Sequence, residues 1–334
     1  MAETATKTAP DNAPGMSPEN APGMSPENAP GMSLAERLRS NPVIVKELRG
    51  RMRGFRAFLV LTLYLLALGG LVGLVYLLAL ASNTPTGSAD LRQSMGKIIF
   101  GLVVMQELMA ACFIAPGLTA GAISSERERQ TFDLLRTTLL PARSVVLGKF
   151  MAAFFYLLLL IFAALPIQSL AFLFGGVSLE EVGIAALMLV VTAMTFCSVG
   201  LFFSSMLSRT LVSTVLAYAF AILWVFGLPF ILSLFSGLLG TFFTNTSPLF
   251  GSLAFQKVIF TGGWLLISLN PLGAAVVSEV VLLTENSLFL FNMPLPNGGS
   301  LSLISPWIIY VIISLLASLL LLWLSVRHVR RAEK

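Results

Sequence analysis

Long stretches of this chain contain no Asp, Glu, Lys or Arg, among them Ala57 to Ala89, Leu108 to Ser125, Phe150 to Leu179, Val182 to Ser208, Thr210 to Gln256 and Asn286 to Val326. A helix needs about 20 mostly apolar residues to cross roughly 30 Å of hydrocarbon, and the runs are of that order. Runs of this kind do not divide into compact cores joined by polar linkers. Composition points the same way: 56% of the residues are hydrophobic and only 11% charged, with a mean hydropathy of +0.88, whereas a soluble domain carries about 25% charge. The solvent for most of the chain is therefore lipid, where backbone groups must be satisfied within each segment. The expected fold class is an all-α polytopic membrane protein.

The runs resolve into six predicted spans: Ala57 to Leu80, Ile98 to Ala122, Phe150 to Phe174, Val182 to Met206, Leu211 to Phe235 and Pro306 to Leu324. The second contains one charge, Glu107, and Pro116, which is expected to kink it by removing a backbone donor. Six spans place both termini on one side. With that assignment all but three of the 21 Lys and Arg residues fall on the terminal side, the exceptions being Arg92, Lys97 and Lys257. Basic residues near spans are retained in the cytoplasm, so both termini are expected there. An odd number of spans would move one basic cluster outside.

Residues 237–305 are apolar but interrupted by Asn245, Asn270-Pro271, Glu279, Glu285 and the turn-like run from Pro294 to Gly299. Irregular backbone at membrane depth survives only where protein or a water-filled cavity satisfies it. Thr261 to Leu282 is read as a helix pair, broken at Pro271, that dips into the outer leaflet and returns. The competing reading is two further crossings with Lys257 in an inner turn.

The first 40 residues lie outside this unit. Residues 12–33 repeat the octad Asn12 to Glu19 almost three times, and proline and glycine at that density sustain neither helix nor core. This tail reads either as a flexible tether or as a duplicated stretch without a role of its own. It is not read as a signal peptide, because the first apolar run begins only after residue 56. The membrane domain is taken as residues 41–331. Cys112 and Cys197 both fall in apolar runs, with no CxxC pair to suggest a metal.

Two charged segments on the terminal side carry more information than the spans. Between Asn41 and Arg56, Ile44, Leu48, Met52 and Phe55 recur at helical spacing while Lys46, Arg49, Arg53 and Arg56 occupy the other faces. This suits an interfacial helix whose basic side chains pair with lipid phosphates. A plain basic anchor for the first span explains the charges but not the apolar face. The second segment runs from Gly121 to Pro141. Ser125 and Glu128 have the S-x-x-E spacing of a capping box, predicting a helix from Ser125 to Leu140. Early acids and a late Arg136 suit its dipole, Phe132, Leu135 and Leu139 form an apolar stripe, and Pro141 stops it and opens the helix that enters the third span.

At these residues the chain resembles a known family. Gly121-x-Ile123-x-x-Glu126-Arg127-Glu128-x-x-Thr131-x-Asp133-Leu134-Leu135, followed by Thr138, Pro141 and Gly148-Lys149, is similar to the signature of permease subunits of ABC-2 type transporters. The resemblance implies an elbow helix before the first span, six spans, a coupling helix between spans two and three, and a re-entrant region before the last. It implies an exporter subunit in the prokaryotic plasma membrane that works with a second permease copy or paralogue and a separate ATPase. ATP and Mg would be bound by that ATPase, and this chain would bind no cofactor. The coupling helix would seat on the ATPase through Phe132 and Leu135, with Glu126, Arg127, Glu128, Arg129, Thr131 and Asp133 fixing the contact.

The chemistry missing from the sequence agrees with a division of labour. No G-x-x-x-x-G-K-[ST] phosphate loop occurs: before Gly148-Lys149 stands Arg143 in place of the first glycine, and after it Phe150 in place of the hydroxyl. An intramembrane enzyme is disfavoured, because the single histidine is His328 and the aspartates Asp11, Asp90 and Asp133 all lie outside the spans, leaving no metal cluster or nucleophile triad. A scaffold or channel without ATP coupling is the alternative function. The basic residues are membrane and partner determinants, not a nucleic-acid surface. Glu107 is a candidate pathway group, since a carboxylate inside a span is costly unless paired, and a structural bond to a neighbouring helix is the competing role.

Overall fold

The computed structural model describes residues 47–50, 54–81, 89–130, 141–245, 253–285, 288–294 and 300–332. The helices are α1 (Phe55–Ala81), α2 (Ala89–Thr119), α3 (Ser124–Glu128), α4 (Ala142–Phe174), α5 (Leu179–Met206) and α6 (Thr210–Ile222). A π-helical turn, Leu223–Gly227, then joins α6 to α7 (Leu228–Asn245). There follow α8 (Leu253–Ser268), α9 (Pro271–Glu285), strands β1 (Leu290–Pro294) and β2 (Ser300–Ile304), and α10 (Pro306–Ala332). Among the described residues six helical segments are long and apolar enough to cross a membrane, and each contains or closely overlaps one of the six spans predicted from sequence.

The observed helices outrun the predicted spans because helix and hydrocarbon need not end together. α4 begins at Ala142 directly after Pro141, whose carbonyl accepts from the Ser144 and Val145 amides. It carries Arg143 and Lys149 within its first turns. α10 runs past Leu324 through Arg327, Arg330 and Arg331, where long basic stems let charge sit beyond the apolar layer. α2 passes through Pro116 and ends at Thr119.

α5 is the centre of the bundle, packed against α2, α4, α6 and α10. Its crossing with α2 is set by Gly200. A Cβ there would collide with Thr119 Oγ1 and come within 3.1 Å of Pro116 Cα and 3.2 Å of the Ala120 amide. Hydroxyls join α5 to α10: Thr192 Oγ1 and Tyr310 OH lie 2.7 Å apart, and Thr195 Oγ1 donates to the Ser314 carbonyl at 3.2 Å. Cys112 and Cys197 are buried in the same core and form no disulfide with each other. α1 is peripheral, leaving Phe58, Leu63, Leu66 and Leu77 exposed, as a lipid-facing helix does.

The stretch before α10 departs from plain helix. β1 and β2 pair antiparallel, with Phe291 opposite Leu303 and Pro294 opposite Ser300. The pair rests on α8, where Trp264 stacks on Phe291 at 5.4 Å and donates its indole N–H to the Ile304 carbonyl. α8 and α9 meet at a 116° bend. Asn270, at the bend, satisfies four backbone groups. Its Oδ1 accepts from the Leu272 and Gly273 amides, capping α9, and its Nδ2 donates to the Trp224 and Val225 carbonyls at 2.7 and 3.0 Å. Those two carbonyls belong to the π-helical turn, where the i→i+4 ladder is broken and acceptors need outside donors. Trp224 answers by donating its indole N–H to the Leu269 carbonyl. The bend is thereby locked against the middle of the fifth long helix.

Candidate functional site

The charged segment after α2 is held against the bundle by bonds from three other helices. The chain leaves α2 through a tight turn, in which the Ala122 amide bonds the Thr119 carbonyl. It enters the short α3 already in a helical conformation at Ile123. The Ile123 and Ser124 amides both donate to Ser204 Oγ, at 2.8 and 3.0 Å. Ser213 Oγ on α6 donates to the Ala120 carbonyl at 2.7 Å. Each of these groups is buried, and a buried amide left unbonded costs about 1–3 kcal/mol. Ser204 thus does for α3 what a capping side chain does elsewhere.

The expected Ser125–Glu128 capping box does not form. Ser125 lies inside α3, its amide bonded to the Gly121 carbonyl, and the N-cap position is held by Ile123, which makes no side-chain capping bond. The reason is upstream: the chain arrives turned, so no extended N-cap residue is present to present a hydroxyl. Glu128 instead accepts from the Thr210 amide at 3.1 Å and so ties α3 to the start of α6. A capping box of the same S-x-x-E spacing forms at Ser178 and Glu181, where Ser178 is extended and opens α5.

Two more charged side chains complete the anchoring. Arg127 Nη1 donates to the Ser205 carbonyl at the end of α5, at 2.8 Å. Lys149 on α4 donates to Glu126 Oε1 at 2.7 Å and to Glu47 Oε1 at 3.0 Å, with its own side chain 4% exposed. One ammonium therefore joins the segment before α1, the segment after α2 and the root of α4. Arg129 is exposed. Gln130, at φ 57°, occupies the left-handed position that commonly ends a helix.

α3 as described spans Ser124–Glu128; the remainder of the helix expected to reach Leu140, with Thr131, Phe132, Asp133 and Leu135, lies outside the described residues. So do Lys46 and Arg53. Residues 47–50 are helical, with Arg49 exposed, and Arg56 is the second residue of α1. Glu107 is remote from α3. It is 2% exposed, and its Oε2 accepts from Gln168 Nε2 of α4 at 2.8 Å.

Sequence reasoning missed Lys149 as an ion-pair centre, along with Glu47, Ser204, Ser205 and Thr210. Lys149 had a signal, since it is a lysine at the apolar edge of a span with carboxylates on both neighbouring segments. The serines had none beyond their position at the ends of apolar runs.

The family model described as "ABC-2 family transporter protein" matches residues 42–326, from the segment before α1 to near the end of α10. A search among curated proteins gave no match.

Proposed function

We propose, from the premise that this chain belongs to the ABC-2 family of transporter proteins, that it is the permease subunit of an ATP-driven exporter and receives the motor's movement through α3. Membership makes it the membrane component of an ABC transporter. The finer reading adds a pathway formed with a second permease, ATP and Mg held by a separate ATPase, a plasma-membrane location and both termini on the ATPase side.

The observation that carries this reading is the attachment of α3. Its backbone and side chains bond Ser204 and Ser205 of α5, Thr210 of α6 and Lys149 of α4. A short helix free to slide would absorb a push, whereas one bonded to three helix ends transmits it. Ser204 and Ser205 end the central helix, so displacement of α3 reaches the helix that contacts most of the bundle. Rigid elements with two arrangements are what carry coupling between distant sites. The bent α8–α9 pair, in this reading, enters the membrane from the outer side and returns to it.

Glu107 holds α2 to α4 through Gln168 and is not a pathway group. Its burial beside Leu108 and Val104 supports this. Retained transport in Glu107→Gln agrees, while lost transport with unchanged thermal stability overturns it.

The coupling assignment is tested by reversing charge at Glu126 and Glu128 and measuring both association with the ATPase and substrate-stimulated ATP hydrolysis. Loss of stimulation is the expected result. Unchanged association and unchanged stimulation would overturn it, and a scaffold or channel would bring down no ATPase at fixed stoichiometry.

A further inference from the structure

At the end of the bundle opposite α3, a cavity of about 400 Å³ opens between α2, α5 and α9. That volume lies in the range of small-molecule sites, about 300–1,000 Å³. Phe100, Val104 and Met105 of α2, Ala185 and Met188 of α5, and Ala275 of α9 make its walls. Ile98, Leu102, Val276 and Val280, which also line it, are exposed on α2 and α9, so the opening faces sideways into hydrocarbon.

The charged groups are gathered at one end. Lys97 Nζ lies 3.8 Å from Glu181 Oε1, and Glu279 lines the same cavity. The Glu181 carboxylate is fixed, because its other oxygen accepts from the Ser178 amide in the capping box that starts α5. Among the described lining residues, one amine therefore stands against two carboxyl groups, Glu181 and Glu279. A second carboxylate beside an apolar chamber is costly unless a counter-charge joins it or it takes up a proton, so a cation that enters is favoured.

We propose that this cavity holds one aliphatic chain of an ammonium-headed lipid, taken sideways from the surrounding leaflet, with the head paired to Glu279 and Glu181. The apolar walls accept the chain, the side opening gives a route that never leaves hydrocarbon, and the cationic head supplies the missing charge. An anionic head would add to the surplus and is rejected.

The ligand would lie close to an intrinsic reporter, because the Trp307 amide donates to Ser278 Oγ at 3.0 Å and Ser278 lines the cavity. The full chain, retaining Trp307 as its one tryptophan, is purified in uncharged maltoside micelles and titrated with a chain-brominated dodecylammonium probe, which quenches indole fluorescence on contact. The chain-matched brominated dodecyl sulfate is the control. Saturable quenching by the ammonium probe alone is expected, weakened at least tenfold in Glu279→Gln and abolished when Ala275→Phe fills the chamber. Lys97→Gln, which removes the competing cation, is expected to tighten binding. The thermal midpoint of each variant is measured alongside. Equal quenching by both probes, or quenching unchanged in well-folded Glu279→Gln and Ala275→Phe, would overturn the proposal. Neither outcome bears on the role of α3.

Discussion

Lys149 Nζ lies 2.7 Å from Glu126 Oε1, and the same ammonium reaches Glu47 at 3.0 Å. This buried lysine is the only link, among the described residues, that joins the segment before α1 to α3 and α4 through a single side chain. Removing one member of a buried ion pair leaves the partner charge uncompensated, which costs about 3–5 kcal/mol when both are fully buried. Glu47 and Glu126 keep 27% and 23% exposure, so solvent screens part of the loss and about 2–3 kcal/mol is expected for Lys149→Met. The double variant Lys149→Met with Glu126→Gln should recover part of that deficit, because it also removes one of the facing carboxylates. A double-mutant cycle on the thermal midpoint checks this; strictly additive losses would count against the ion pair.

The serines separate two uses of the hydroxyl. Ser204→Ala strips the acceptor from two buried amides, those of Ile123 and Ser124, and should cost about 2–4 kcal/mol at 1–3 kcal/mol per orphaned donor, allowing for partial relaxation. Ser178→Ala removes an ordinary N-cap and should cost about 1 kcal/mol. Ser125→Ala should be close to neutral, because no cap depends on it. Denaturation of the three variants side by side gives the order, and a large effect at Ser125 would contradict the geometry of α3.

The spans were legible because each is long, apolar and nearly free of charge, and nothing about a neighbour is needed to see that. The start of α3 was not. Ser125-x-x-Glu128 and Ser178-x-x-Glu181 present the same letters, yet only the second forms a box. What separates them is the conformation of the preceding residues, turned in one case and extended in the other, and tertiary bonds to Ser204 decide that. Lys149 was visible as a basic residue at a span's edge, but its two carboxylate partners come from segments far along the chain. The same applies to Asn270, which sequence marked as an interruption and the fold uses as a lock.

Asn270→Leu should damage the bent helix pair more than its size change suggests. The Trp224 and Val225 carbonyls lose their donor and α9 loses its cap. Each buried unsatisfied group costs about 1–3 kcal/mol, so a loss of about 3–5 kcal/mol is expected. Asn270→Asp keeps the acceptor for the Leu272 and Gly273 amides but turns a donor into a carboxylate against two carbonyls, and should be no better tolerated. The environment of Trp224 reports the outcome through its fluorescence in a variant lacking the other tryptophans. An unshifted emission spectrum in either variant would show that the π-helical turn does not depend on Asn270.

The bent pair also makes a topological prediction that a single cysteine can test. The bend at Leu269 and Asn270 sits against Trp224 and Val225, near the middle of the span from Thr210 to Leu238. A helix pair that turns by 116° at that depth has used its length reaching the middle and must return the way it came, since α8 holds only 16 residues and α9 only 15. At 1.5 Å per residue each arm is about 24 Å or less, short of the roughly 30 Å of hydrocarbon even if it stood upright. Lys257, near the start of α8, is therefore expected on the same side as the β1–β2 pair and opposite α3. In a variant with Cys112 and Cys197 replaced by Ala, Lys257→Cys should react with an impermeant thiol reagent added from the outer face of sealed cells. Modification only from the inner face of inverted vesicles would instead require two further crossings, and the paired arms would have to be longer than they are.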